Sequence, residues 1–342
     1  MKRFLIYISQ AYSIPIGRPL QEEIQGRGYV VKWFCDEANT ASYLNEREYV
    51  LQSIEAVKQY QPDVVLVATN VVPDFFPGLK VQIFHGFSVG KRAAAKGHFN
   101  IRGFFDLYCT HGPSTTVPFK ALQEKHKYFD VIETGWSKVD PLFPLQKREK
   151  HMPSVMISST FTRKLSLAHN RDVVAEIERL SHLGKWHFIA VLHPKMEQEI
   201  VEHFKSMQHN HFVFYDTTEL IPLFLQADVM FSDTTSAITE FVLQHKPVVT
   251  FNNKQPLPYM INISMVKQIE GALALAFSRP LEIMVHIDSF ISQTHPYNDG
   301  CSSQRVIDAS LAVLSKDKIK RKPLNLIRRW KIRQKLHYYR LW

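Results

Sequence analysis

Cysteine is scarce: Cys35, Cys109 and Cys301 are the only three in 342 residues. An odd number without paired spacing excludes a disulfide framework and a zinc knuckle, and predicts a reducing cytosol. No run of about 18 apolar residues exists, which excludes a spanning helix. The opening Met1-Lys2-Arg3-Phe4-Leu5-Ile6-Tyr7-Ile8 has too short an apolar stretch for a secretory signal, and no small-residue cleavage site follows it. Asp-x-Asp, His-Glu-x-x-His and paired-Cys spacings are absent, so no metal site is expected. No Gly-x-Gly-x-x-Gly follows the first apolar run, which argues against a nicotinamide enzyme, and no cofactor is expected. Short-period repeats and low-complexity stretches are also missing. With 45% apolar and 22% charged residues, wholesale disorder is excluded.

What the chain does have is an excess of positive charge, and that excess is local. The formal charge is +10, yet residues 1–315 carry 31 basic and 31 acidic side chains. The segment 316–342 holds eleven Lys and Arg against one acid, Asp317. A nucleic-acid enzyme would more often spread its basic footprint over the fold, and no nucleic-acid partner is expected. From Pro323 the cations alternate with Leu324, Leu326, Ile327, Trp330, Ile332, Leu336, Tyr338, Tyr339 and Trp342. Trp and Tyr among Lys and Arg suit an anionic membrane surface. The apolar positions make no single clean helical stripe, and a helix packed back on the body with a solvated basic face is the competing reading.

The length predicts about two domains. Apolar runs of strand length alternate with helical segments. In the first half Arg3–Ile8, Tyr29–Phe34, Asp63–Ala68, Lys80–Phe84, Asp106–Thr110 and Val131–Thr134 read as strands, and 18–25, 46–60 and 113–127 as helices. In the second half the strands are Ser154–Ser158, His187–Leu192, His211–Tyr215, Asp228–Ser232 and Pro247–Phe251, with helices at 197–207, 218–226, 237–244 and 302–314. The alternation pauses at Trp136–Pro153, where Pro141, Pro144 and Pro153 flank a charge cluster, the expected linker. The fold class is therefore α/β, with two doubly wound Rossmann-like domains, 1–140 and 154–315, facing across a cleft, and a basic, aromatic-rich tail, 316–342.

Chemistry concentrates where strands end. Phe84-His85-Gly86-Phe87-Ser88-Val89-Gly90-Lys91-Arg92 closes a strand with a histidine, then a Gly-rich turn carrying cations. His85 suits a general base, Gly86 lets backbone approach a ligand, and Lys91 is available for phosphate. Val191-Leu192-His193-Pro194-Lys195 puts His193 and Lys195 at a second strand end as a candidate phosphate clamp. Ser232-Asp233-Thr234-Thr235-Ser236 joins a strand to a helix whose free N–H groups suit phosphate, and Glu240 one turn later could accept from a ribose. Any one of these hydroxyls could equally be only a helix cap. Thr160 and Arg163, after the first strand of the second domain, add a hydroxyl and a cation.

In this order the segments resemble the CDP-glycerol glycerophosphotransferase family, the teichoic-acid primases and polymerases with a GT-B fold. His85-Gly86 with Lys91 is similar to the family's His-Gly-Thr-Pro-x-Lys. The segment Thr134-Gly135-Trp136-Ser137-Lys138-Val139-Asp140-Pro141-Leu142-Phe143 is similar to its Gly-Tyr-Pro-Arg-Asn-Asp stretch, and His193-Pro194-Lys195 to its His-Pro-Arg/Lys element. Ser232–Ser236 with Glu240-Phe241 resembles Thr-Asp-Tyr-Ser-Ser…Asp-Phe, and Asn298–Arg305 resembles Asp-Gly-x-x-Ser-x-Arg. The resemblance spans about residues 80–310. Here Phe87-Ser88 replaces Thr-Pro, and Thr234-Thr235 replaces Tyr-Ser.

The resemblance implies metal-independent transfer of glycerol phosphate, or a related activated polyol or sugar, from a CDP-linked donor to a hydroxyl of a surface-glycan or lipid-linked acceptor. His85 would be the base, and His193, Thr235 and Ser236 would hold the donor phosphates. The expected location is cytoplasmic, peripheral at the inner face of the cell membrane. The alternative is a GT-B glycosyltransferase or sugar-nucleotide epimerase using a UDP- or CMP-sugar.

Overall fold

A computed structural model describes residues 1–87, 99–146, 152–316 and 320–340. Two compact units emerge, Met1–Pro141 with Gln293–Trp342, and Leu142–Ser292.

Unit 1 is built on a seven-stranded parallel sheet. Its strands are β1 (Arg3–Ile8), β2 (Val30–Cys35), β3 (Val50–Leu51), β4 (Val64–Val67), β5 (Leu79–Gln82), β6 (Leu107–Thr110) and β7 (Asp130–Glu133), in the order β3-β2-β1-β4-β5-β6-β7. Parallel pairing demands cover on both faces, and the sequence meets that demand: from Phe4 onward β1 is wholly buried, as are β4, β5 and β6. The register Leu5 to Val65 and Tyr7 to Val67 sets alternate side chains of β1 and β4 into one core with Phe34, Phe76, Phe84 and Phe119.

Unit 2 repeats the plan with six parallel strands: β8 (Ser154–Ser159), β9 (His187–Leu192), β10 (Phe212–Phe214), β11 (Val229–Ser232), β12 (Val248–Phe251) and β13 (Met260–Ile263), ordered β10-β9-β8-β11-β12-β13. Its core joins Val155, Ile157, Phe188, Phe231 and Val249 to helix Arg171–His182, which presents Val173, Val174, Ile177 and Leu180. Asn170 starts that helix by accepting from the Asp172 and Val173 amides. Strand order reverses between β1 and β4 in unit 1 and between β8 and β11 in unit 2. These are the switch points where doubly wound sheets bind ligands.

Three sequence expectations change. The helix expected over 46–60 is confined to Ile54–Tyr60, because Val50 and Leu51 pair with Trp33 and Phe34 as an edge strand. The second domain does not run on to 315, because the chain rejoins unit 1 at Gln293. Helix Ser302–Leu314 is fastened there by Asp140, which accepts from the amides of Ser302 at 2.9 Å and Ser303 at 2.7 Å. Third, the basic tail takes the competing of its two readings and packs back on the body. Helix Leu326–Lys335 buries Ile332 in the core of unit 1.

Candidate active site

At the unit 1 switch point the strand ends converge on His85. After β5 the backbone of Phe84 turns through φ +55°, a left-handed conformation that costs an aromatic residue about 1–3 kcal/mol. Phe84 is held there by its ring, packed edge-on to Phe119 at 5.2 Å and His111 at 5.3 Å. The turn sends His85 back over β4, where Nδ1 lies 3.2 Å from the Ala68 carbonyl oxygen. A carbonyl only accepts, so Nδ1 carries the proton and Nε2 is the basic nitrogen. The Tyr12 ring lies 5.7 Å from the imidazole. Among the described residues a side chain at Gly86 would meet no atom within 4 Å, so no described packing neighbour demands its small size. Lys91 lies outside the described residues.

Behind His85 sits a buried aromatic group that the sequence did not single out. Phe87 packs on His111, Trp136 and His295 at 4.9, 4.8 and 5.9 Å. His295 Nε2 accepts from the Trp136 amide at 3.1 Å, and burial pushes its pKa down to about 4. Gly135 has φ +79°, and a Cβ there would come within 2.5 Å of Ser302 Oγ and 2.9 Å of His295 Nε2. Segments 134–140 and 295–303 thus interlock: the first supplies a glycine and a capping aspartate, the second the histidine and the helix they serve.

At the unit 2 switch point the centre is Asp233, fully buried at the end of β11. Its carboxylate accepts from Ser159 Oγ at 2.6 Å, the Thr160 amide at 3.1 Å, the Leu167 amide at 3.0 Å and the Thr234 amide at 2.5 Å. Burial raises its pKa against the pull of these donors. Asp233 therefore ties the loop after β8 to the loop after β11. Thr234 and Thr235 are half-buried beside it and Ser236 is exposed. Thr235 Oγ1 accepts from the Ala237 amide at 3.4 Å, while Ser236 makes no side-chain cap to the helix Ala237–Val242. Glu240 is buried within that helix.

His193 follows β9. Its Nδ1 accepts from the Lys195 amide at 3.0 Å, so the neutral ring carries its proton on Nε2. Burial, then the Lys195 charge, lowers its pKa and favours this neutral form. Phe161 lies against the imidazole at 4.5 Å, and Lys195 Nζ lies 5.8 Å from the centre of the Phe161 ring. Thr160 is half-buried and Arg163 exposed. Arg163 lines a groove of about 370 Å³ with Lys164, His169, Asn170, Arg171 and Asn252. Among the described residues no group of three or more His, Cys, Asp or Glu could hold a metal ion.

Solved structures share this architecture. The wall teichoic acid polymerase TagF superposes with a TM-score of 0.65 at 11% identity, over 92% of this chain and 88% of that one. A UDP-N-acetylglucosamine 2-epimerase from Neisseria meningitidis, bound to UDP-GlcNAc, gives 0.59 at 13%, over 91% and 100%. The fold is of the GT-B type. A putative UDP-N-acetylglucosamine 2-epimerase from Listeria monocytogenes belongs to the same set, at 0.62 and 12% identity over 95% and 100%. No protein-family model and no curated protein sequence matches the chain. Within a GT-B chain, His85 and His193 both stand at carboxyl ends of parallel strands, one in each unit, and they hold opposite tautomers.

Proposed function

We propose that the protein is a transferase moving glycerol phosphate, or a related activated polyol or sugar, from a CDP-linked donor to a hydroxyl of a surface-glycan or lipid-linked acceptor. The tautomers carry the reading. His85 offers a basic Nε2, as proton removal from an attacking hydroxyl requires. His193 offers an Nε2–H, as stabilisation of a phosphate leaving group requires. In the reaction the acceptor oxygen bonds to the phosphorus bearing glycerol, the phosphoanhydride bond to CMP breaks, and CMP leaves with the electron pair. His85 takes the hydroxyl proton while His193, Lys195 and the amides and hydroxyls at Thr234–Ser236 meet the charge on the phosphates. Lys91, Gly86, Thr160 and Arg163 are the further donor contacts proposed. Glu240 is proposed to accept from the ribose, and Asp233 to position the phosphate loops rather than touch the anion. The reading needs no metal and no nucleic acid, and sets the work at the inner face of the cell membrane.

The test is His85→Ala. Base catalysis contributes about 10²–10⁴-fold, so turnover should fall by that factor while affinity for CDP-glycerol stays at the parent value. Near-normal turnover would remove His85 from the mechanism. The similarity to a UDP-GlcNAc-bound epimerase favours one second reading, a UDP-sugar enzyme. Tighter binding of UDP-GlcNAc than of CDP-glycerol would select it.

A further inference from the structure

The charge excess of residues 316–342 is sorted by the way this segment packs on unit 1. Lys316 and Lys320 pair with Asp130, Lys322 with Asp106, Arg333 with Asp74 and Lys335 with Asp36, all at 2.7–3.1 Å. Beside them Ile332 is buried and Tyr338 lies on Phe75 at 4.5 Å. At about 100° per residue, positions 329, 332, 333 and 336 make one side of the helix, and 327, 330, 331 and 334 fall opposite. The opposite side sets the apolar Ile327 and Trp330 beside Lys331 and Gln334. Ile327 is 74% exposed and Trp330 53%, with Leu324, Leu326 and Tyr339 also exposed around them. Tyr339, beyond the helix, returns its ring to within 5.8 Å of Trp330, so the patch is continuous. Arg321, Arg328 and Lys331 flank it, and among the described residues no carboxylate lies within ion-pair distance of these three.

We propose that this outer face is a docking surface for an anionic lipid bilayer. The helix would lie in the interfacial plane, with Leu326, Ile327, Trp330 and Tyr339 at the acyl boundary and Arg321, Arg328 and Lys331 at lipid phosphates. Charge complementarity selects this occupant. Among the described residues the face is cationic without its own counter-charge, so a second copy of it is repelled, and five exposed apolar side chains gain burial from lipid. The docked side fixes the helix on unit 1, so the surface is preformed rather than folded on contact. It gives the proposed peripheral location a physical surface, and it stands or falls independently of the donor chemistry.

The experiment is co-sedimentation of the full chain with phosphatidylglycerol–phosphatidylcholine vesicles and with phosphatidylcholine alone. Each cation near an anionic surface contributes about fivefold in partitioning, so Arg328→Gln/Lys331→Gln should lower binding about 30-fold at low salt. Ile327→Ser/Trp330→Ser should lower it roughly tenfold. Both variants should keep the parent unfolding temperature, because none of the four side chains packs into the core. Absence of parent binding to the anionic vesicles, or equal binding by parent and variants, would overturn the proposal. So would a vesicle-free parent dimer that Ile327→Ser/Trp330→Ser dissolves.

Discussion

His295 and Asp233 show what single buried residues hold together. His295 is neutral in the fold, with its pKa near 4 against about 6.5 in an open chain. Its folded value is the lower one, so below about pH 6.5 the unfolded chain binds a proton that the native chain does not. Stability is therefore lost as pH falls from 7, by about 2 kcal/mol at pH 5, and the loss levels off below pH 4. Denaturant unfolding at pH 7 and pH 5 should show at least this difference in the parent, and His295→Gln should shrink it by about 2 kcal/mol. Asp233 satisfies donors from four residues on two loops. Asp233→Asn turns an NH₂ toward those donors and should lower unfolding stability by about 2–3 kcal/mol, read in urea. His85 and His193 were legible as strand-end residues because each ends an apolar run. Their tautomers were not, because that of His85 is set by the Ala68 carbonyl of a different strand. Asp140 was legible only as part of a motif, since the amides it caps lie 162 and 163 residues further on.

At the scale of elements, buried strands announced themselves: β1, β4, β8, β9 and β11 are apolar runs with few competing signals. The missed pieces are edges. Strand β13 is half-exposed along most of its length, so Met260–Ile263 has no apolar-run signature, and β3 is two residues long. The tail helix shows the opposite difficulty. Its apolar residues serve two faces, Ile332 and Leu336 toward unit 1 and Ile327 and Trp330 away from it, which blurred the stripe. Truncation after Ser315 would remove Ile332 and Tyr338 from their packing and leave the buried Asp36 and Asp106 side chains without Lys335 and Lys322. Two buried side chains contribute about 1.5–3 kcal/mol each, so the truncated chain should unfold at least 3 kcal/mol more easily. Unchanged stability in calorimetry would show that the segment is not part of the fold. A simple tail deletion therefore cannot test membrane binding, and the outer-face substitutions are the cleaner probe.

For the whole molecule, the net charge of +10 first reads as an affinity of the entire protein, and proves to be a property of one segment. Five of that segment's eleven cations neutralise aspartates of unit 1, and Arg321, Arg328 and Lys331 border an exposed apolar face. The doubly wound architecture was legible in the alternation of strands and helices. The return of the chain to unit 1 was not, because it depends on contacts such as Arg27 with Asp308. The proposed transfer rests on the two strand-end histidines. Calorimetric titration of CDP-glycerol and UDP-GlcNAc into the full chain, His85→Ala and His193→Ala tests that most directly. CDP-glycerol should bind more tightly than UDP-GlcNAc, equally to the parent and His85→Ala, and at least tenfold more weakly to His193→Ala. Preference for UDP-GlcNAc, or undiminished CDP-glycerol binding by His193→Ala, would contradict it.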